Sequence, residues 1–337
     1  MANDPQVPWT DEQWARVNQV IQEEAKRARV AATFLPLCGP LDADADFVRK
    51  QEISYPLTID PPLEKRAPAP DTSGAQEQRL WIDDRDTIRL ATLQVVVAVR
   101  NAQMADPELT SAMALFRRAA NVIARLEDAV VFRGLTSSSG EPAPPGGISG
   151  LPRIWQVTGA VEARGIWPAE RSISVDPTPG EGRGQRLVSA ISEAIGQLEQ
   201  QGQFGPFAAV LGQQLFLVAQ TPDSQSLVLP QDRIIPFLGG GPLLRSSTLD
   251  EPERFTGVIV ALGGAPLELV IASDISLQFL QVSADPAFLF RVSEKIALRI
   301  RERDAIIQLT SAEEEAAPSS GGRSQRRRGR EANRTEK

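Results

Sequence analysis

The 337-residue sequence contains no histidine, one cysteine, one tyrosine and only 5% aromatic residues. Without imidazole, the Ser-His-Asp and Cys-His catalytic arrangements and His-ligated zinc are excluded, and a single thiol excludes thiolate clusters and an intramolecular disulfide. Carboxylates, lysines and hydroxyls remain as conceivable catalysts. An enzyme is therefore not excluded, although its commonest catalytic groups are absent, and we predict no catalytic residue, no metal site and no cofactor.

Long apolar runs are also missing, since no stretch approaches the 18 residues or so that a membrane span needs. The first residues, MANDPQ, lack the basic region and apolar core of a signal peptide. Residues 1–310 carry 38 acidic and 29 basic side chains, a balance of −9, which argues against a nucleic-acid-binding domain. The RRRGR run (326–330) has glutamates nearby, which favours a solvated tail. We expect a cytoplasmic protein without a membrane or nucleic-acid partner.

Two helices have clear start signals. Thr10 is a good N-cap, and Gln13 completes a capping box for a helix that begins at Asp11. The pair Asp106-Pro107 has the chemistry of a second helix start. Apolar residues at helical spacing then continue to the sequence RLEDAVVFRG, which predicts a helix from 107 to 133 that Gly134 ends.

Other segments favour strands. Two extended stretches within 47–100, joined by a Pro-rich segment at 61–78, predict a projecting hairpin arm that needs a partner. Residues 186–271 alternate between helix and strand, which indicates an α/β domain, and TGVIVAL and LELVIAS are predicted to form a hairpin around Gly263-Gly264. In AFLFRVSEKIALRIR, alternate apolar residues share one face of a strand, with Glu294 as the exception. The polar tail after Leu309 is predicted to be disordered.

Two glycine-rich segments raise the alternative of a small-molecule enzyme with an anion-binding loop. GEGRG (180–184) precedes a helix, and GGG occupies 239–241. Neither has the Gly-Lys-Ser/Thr sequence of a phosphate loop, and GEGRG does not follow a buried strand. Turns and close backbone approaches are the favoured interpretation of both.

The helix end resembles a known family. RLEDAVVFRGL (125–135), followed by GISGL (147–151), resembles the E-D-x-V-x-F-R-G motif and its G-x-x-G-L sequel in the encapsulins, linocin-type bacterial shell proteins with the tailed-phage capsid fold. WTDEQWARVN, FLPLCGPL, FGPFAAVLG and SDISLQFL resemble further encapsulin segments in the same order. The likeness extends over almost the whole chain, from residue 9 to residue 309.

This resemblance implies an α+β, phage-capsid-like fold with a peripheral domain, an extended hairpin loop and an axial α/β domain. It divides the chain into 1–46 (N-terminal helix and start of the peripheral domain), 47–100 (extended arm), 101–150 (spine helix), 151–271 (axial domain), 272–310 (return strands of the peripheral domain) and 311–337 (tail). The implied function is a self-assembling icosahedral shell, with protomers in multiples of sixty, that encloses a cargo enzyme. The chain itself would then serve assembly and confinement and would not be an enzyme. A phage or prophage major capsid protein is the alternative within the same fold.

The resemblance also implies functional positions. The cargo would be a dye-decolourising peroxidase or a ferritin-like protein, held through its C-terminal targeting peptide in a groove formed by Phe34, Leu35, Leu37, Ile275 and Leu277. The expected pore loop comprises Phe237, Leu238, Gly239, Gly240 and Gly241, which carry no charge. The position of a flavin-contacting tryptophan in some relatives falls near Val97 here, so no flavin is expected.

Overall fold

The computed structural model describes residues 7–54, 80–135, 151–160, 163–167, 169–176, 182–222, 228–251, 254–285 and 287–311. Within these ranges the α-helices are α1 (Asp11–Ala28), α2 (Ala31–Phe34), α3 (Asn101–Met104), α4 (Thr110–Arg133), α5 (Arg183–Gln200), α6 (Gln213–Gln220) and α7 (Pro230–Ile234). The first seven strands are β1 (Leu37–Cys38), β2 (Phe47–Arg49), β3 (Glu52–Ser54), β4 (Trp81–Asp83), β5 (Thr87–Arg89), β6 (Ala91–Arg100) and β7 (Trp155–Thr158). The others are β8 (Ser172–Val175), β9 (Phe207–Leu211), β10 (Leu243–Arg245), β11 (Thr256–Ala261), β12 (Leu267–Val282), β13 (Ala287–Ile300) and β14 (Ile306–Ser311). None of the helices in these ranges is long and apolar enough to cross a membrane.

The first sheet has the strand order β1-β12-β13-β6-β7 and supports the two long N-terminal helices. The β12–β13–β6 ladder is antiparallel, while β1 runs parallel to β12. Helices α1 and α4 pack against each other and on this sheet. Trp9 stacks on Phe290 with ring centroids 4.9 Å apart, and Trp14 and Phe116 contact the same ring edge to face. These rings join the start of α1 to the core.

Helix α1 begins as its sequence predicts. The Thr10 hydroxyl accepts a hydrogen bond from the Gln13 amide at 3.2 Å, and the Gln13 side chain accepts one from the Thr10 amide at 3.0 Å. Trp14, Val17, Ile21 and Ala25 form the buried stripe. The predicted start at Asp11 and the capping box are therefore confirmed.

The long helix has one confirmed end and one that was predicted wrongly. α4 begins at Thr110 rather than at Pro107, because Leu109 adopts a left-handed conformation with φ 52°. Asp106 still acts at this end, since its carboxylate accepts hydrogen bonds from the amides of Glu108 and Thr110 at 3.1 and 2.9 Å. At the other end the helix stops at Arg133, with Gly134 at φ 74°.

The second sheet has the order β10-β9-β11-β14-β8, with α5 packed on it. The predicted hairpin around Gly263-Gly264 is wrong, because β11 belongs to this sheet and pairs with β9 and β14, whereas β12 belongs to the first sheet. Both segments are apolar enough to be buried on two faces, so their sequences do not specify a partner.

The sheets also divide the chain differently from the predicted segments. Strand β12 begins at 267, inside the expected axial segment 151–271, yet it lies in the first sheet, as does β7. Strand β14 follows the return strands but lies in the second sheet. Each sheet is therefore completed by a strand from a distant part of the chain.

The predicted arm has antiparallel legs. β2 pairs with β5 and β3 pairs with β4, outside both large sheets, while β6, the last part of segment 47–100, lies in the first sheet. The Pro-rich tip lies outside the described residues, and so does the tail predicted to be disordered, from 312 onward.

Candidate assembly and docking surfaces

The acidic pair in the motif RLEDAVVFRG is buried at the corner between α1 and α2. Asp128 is 2% exposed, and its carboxylate accepts hydrogen bonds from the backbone amides of Val30 and Ala31, the shortest to each being 3.0 and 2.7 Å. A carboxylate at the start of α2 satisfies amides that have no partner within the helix. Asp128 thereby fixes the chain that leads from α1 to Phe34.

Glu127, the other member of the pair, lies among charged groups from three further elements. The Arg29 guanidinium, just after α1, contacts Glu127 at 2.7 Å, Glu294 of β13 at 2.6 Å and Asp274 of β12 at 3.1 Å. Glu127 and Glu294 are fully buried, whereas Asp274 is half-exposed. We name Arg29, Glu127, Asp128, Asp274 and Glu294 the acid cluster.

Burial decides the protonation of the acid cluster. It raises the pKa of Glu127 to about 7 against the opposing effect of Arg29, and the Asp128 charge adds to the rise. Burial also raises the pKa of Asp128 to about 7, although the amides of Ala31 and Val30 lower it. The pKa of Glu294 is raised by burial and by Glu127. Burial lowers the pKa of Arg29, but the carboxylates outweigh it and keep the guanidinium charged.

The last two motif residues connect the two halves of the structure. The Arg133 side chain donates a hydrogen bond to the Thr248 carbonyl at 2.9 Å and pairs with Glu251 at 2.5 Å. Gly134 follows in a conformation that L side chains rarely adopt, and a Cβ there would lie 2.2 Å from the Ala163 carbonyl oxygen. The helix thus stops where another segment crosses against its backbone.

The arm exposes large apolar side chains. Phe47, Leu80, Trp81 and Ile82 lie on or beside its two ladders, and Leu80 and Ile82 are 72% and 60% exposed. The β3–β4 ladder is attached to the body, since the Ile53 amide donates to the Arg301 carbonyl at 2.9 Å and Glu52 contacts Arg303 at 3.3 Å. The described part of the arm is therefore held against the body through β3 and has an uncovered apolar surface.

The five predicted docking residues lie on or next to α2, β1 and β12 and differ in exposure, and Leu37 pairs with Leu269, six residues before Ile275 on β12. Phe34, Leu35, Ile275 and Leu277 are buried, with Phe34 stacked on Phe132 at 6.3 Å. Leu37 is 58% exposed, on β1 beside β12. Gln22 of α1 donates to the Ile275 carbonyl at 2.6 Å, which covers part of this strand. Of the five side chains, Leu37 is the one open to a ligand.

The predicted pore loop forms a turn at one end of the second sheet. Phe237 is exposed and Leu238 is buried. Gly239 and Gly240 have positive φ, and a Cβ on Gly241 would lie 2.0 Å from the Phe207 carbonyl oxygen. These glycines therefore serve a turn and a close backbone approach, as the sequence suggests.

Comparisons with known proteins agree with these features. A family model described as encapsulating protein for peroxidase (linocin M18) matches residues 154–297. The type 1 encapsulin shell protein EncA of Myxococcus xanthus is 27% identical over 317 residues, covering 90% of this chain and 94% of EncA. The chain is related to the encapsulin shell proteins.

Structural comparison gives the fold of this encapsulin relative. A virus-like particle protein from Pyrococcus furiosus superimposes with a TM-score of 0.60 at 15% identity, covering 88% of this chain and 99% of the other. The capsid of Myoviridae phage XM1 gives a TM-score of 0.53 at 12% identity, covering 82% and 89%. The predicted α+β, phage-capsid-like fold and the resemblance to encapsulins are both confirmed.

Sequence reasoning missed the partners of the acidic pair. One of these partners could have been found from the sequence, because Glu294 is the charged residue that interrupts an otherwise apolar strand face. In the structure, the Glu294 side chain forms an ion pair with Arg29. Nothing in the sequence marked Arg29 as a partner of these carboxylates except its place at the end of α1. Within the residues that the structure describes, no group of three or more acidic or cysteine side chains is arranged to hold a metal ion.

Proposed function

We propose that this encapsulin relative assembles with copies of itself, in multiples of sixty, into a closed icosahedral shell. The observation that carries the proposal is the arm, which leaves both large sheets and exposes Phe47, Leu80, Trp81 and Ile82. Two-stranded ladders have little stability alone. Covering each large apolar side chain contributes about 1.5–3 kcal/mol, so a neighbouring copy on this surface stabilises both the arm and the assembly.

Substitution of Ile82 by Asp tests the proposal. Burying an unpaired carboxylate at a subunit contact is costly, so the variant is expected to yield small oligomers where the unmodified protein gives hollow particles. The matched control is Thr87→Asp, which adds the same charge to an exposed position on the same arm. Electron microscopy and analytical ultracentrifugation would decide, and particles formed equally well by both variants would refute the role of this surface.

We further propose that the shell is a cytoplasmic nanocompartment that encloses a cargo enzyme, a dye-decolourising peroxidase or a ferritin-like protein. The cargo's C-terminal targeting peptide docks along α2, β1 and β12 at Phe34, Leu35, Leu37, Ile275 and Leu277, of which Leu37 is the exposed residue. The description of the matching family as an encapsulating protein for peroxidase supports the first cargo class. All five of these residues are apolar, which supports a targeting peptide that binds through apolar side chains.

Leu37→Asp tests the docking site. A fluorescent protein carrying the C-terminal peptide of a peroxidase encoded beside the shell gene is expected to load at least tenfold less into the variant shell, because a charge replaces the exposed apolar contact. Leu217→Asp, at an exposed leucine on α6 rather than on α2, β1 or β12, is the control and should load normally. Equal loading of both would place the docking site elsewhere.

We also propose that the loop Phe237–Gly241 lines a pore at a symmetry axis. Its support is the exposed Phe237 and the absence of any charged residue in this five-residue stretch. A ring of such loops would select weakly among ions.

A further inference from the structure

The acid cluster brings four carboxylates to one guanidinium. Glu127 and Asp128 come from α4, Asp274 from β12 and Glu294 from β13, and they surround Arg29 at the end of α1. Glu294 also lies beside Glu127, and both oxygens of Glu127 and one oxygen of Glu294 are buried without a hydrogen bond to a donor. On β6, which pairs with β13, the residue opposite Glu294 is the apolar Leu93. Apart from burial and backbone amides, the charged groups that most affect the pKa values of Glu127, Asp128 and Glu294 are one another, Arg29 and Asp274.

The cluster joins the elements that form the proposed docking site. Arg29 and the Asp128-bound amides of Val30 and Ala31 hold the corner between α1 and α2. Asp274 accepts a hydrogen bond from the Ile275 amide at 2.7 Å while it contacts Arg29. A change of charge in the cluster therefore acts on both sides of that site.

Full ionisation would leave the cluster with three excess negative charges around one arginine. Three of the four carboxylates are almost inaccessible to water, so solvent does not screen them. Arg29 can neutralise one carboxylate. A proton held between Glu127 and Glu294 removes the repulsion between these two carboxylates and leaves a hydrogen bond in its place.

We propose that the acid cluster is a proton-dependent latch: a proton shared by Glu127 and Glu294 locks the corner between α1 and α2 onto α4 and the first sheet, and its loss loosens that corner. The latch concerns the protomer alone. Its consequence for cargo, weaker docking of the targeting peptide when the latch is open, rests on the proposed function.

The direction of the pH effect follows from the raised pKa values. Glu127 and Asp128 have pKa values of about 7, above the ordinary values of 4.5 and 3.8. An acid whose pKa is raised by folding binds its proton more tightly in the native state, so the native state loses stability as the pH rises. The stabilisation is complete below the ordinary pKa values and is lost as the pH rises through about 7.

Glu294→Gln separates the latch from other effects of pH. The amide keeps the size and a hydrogen-bond donor toward Glu127 but cannot ionise. In the unmodified protein, protection of peptides covering residues 29–37 against hydrogen exchange is expected to fall at least tenfold between pH 5.5 and 8.5, after correction for intrinsic exchange. In the variant it should fall less than threefold. Glu23→Gln, at an exposed position on α1, is the control and should behave like the unmodified protein.

A second variant covers the case in which Glu294→Gln does not fold. Asp274 is half-exposed and raises the pKa values of Glu127 and Glu294 by its charge. Asp274→Asn should therefore shift the midpoint of the exchange transition to lower pH. Protection that does not change with pH in the unmodified protein, or an unshifted midpoint in Asp274→Asn, would overturn the latch.

The latch and the proposed function fail separately. Exchange is measured on the protomer's own peptides, so a pH-dependent corner in a protein that forms no particles would uphold the latch and refute the shell. Particles that load the fluorescent fusion but have a corner whose exchange does not depend on pH would uphold the shell and refute the latch. For the docking consequence, unmodified shells should retain less of the fusion at pH 8.5 than at pH 5.5, and Glu294→Gln shells should retain equal amounts.

Discussion

At the scale of single residues, the motif EDAVVFRG is explained by contacts that lie far away in sequence. Asp128 binds the amides at the start of α2, Glu127 contacts Arg29, and Arg133 reaches Thr248 and Glu251. The motif therefore connects α4 to three other parts of the chain.

Gly134 provides a prediction at this scale. Gly134→Ala should lower the free energy of unfolding by at least about 2 kcal/mol, because the backbone conformation is nearly restricted to glycine and the new Cβ meets the Ala163 carbonyl oxygen. Gly196→Ala, inside α5 with open space around it, should instead raise the free energy of unfolding by about 0.5–1 kcal/mol. Denaturant unfolding at one protein concentration measures both, and equal effects would contradict this explanation of Gly134.

At the scale of elements, helix α1 is positioned from both ends. The capping box and the stacking of Trp9 on Phe290 fix its start, and the acid cluster fixes its end. Its buried central stripe packs on α4 and the first sheet, so a substitution at either end is expected to change the stability of the whole helix.

The capping box gives the prediction for this element. Thr10→Ala should cost about 1 kcal/mol of stability, because the Gln13 amide loses its acceptor, whereas Thr10→Ser keeps the hydroxyl and should cost much less. Hydrogen exchange at the first turn of α1, together with denaturant midpoints, would distinguish the two. The same loss in both variants would assign the effect to the threonine methyl group instead.

At the scale of the whole molecule, two five-stranded sheets are interlocked by chain crossings. β7 and β12 enter the first sheet from segments that surround the second, and β14 returns to the second sheet after β13. Neither sheet is complete without a distant strand, so we expect the two to unfold together in the protomer. The arm lies outside both sheets, which is why its apolar surface depends on a neighbouring copy in the proposed shell.

The sequence by itself determined the local features. It specified the capping box at Thr10, the helix end at Gly134 and the extended legs of the arm, because these follow from nearby residues and from periodicity. The order of the family-like segments also identified the fold, although composition and periodicity alone had not.

Only the tertiary structure decided which strands pair and which charges meet. β11 and β12 are adjacent, apolar strands, and nothing within them shows that they belong to different sheets. Glu127, Glu294 and Arg29 are separated by roughly a hundred residues or more and converge only because α1, α4 and β13 pack together. The exposure of Leu37 and the burial of the other four predicted docking residues were likewise decided by packing, since side-chain burial depends on contacts that are distant in sequence.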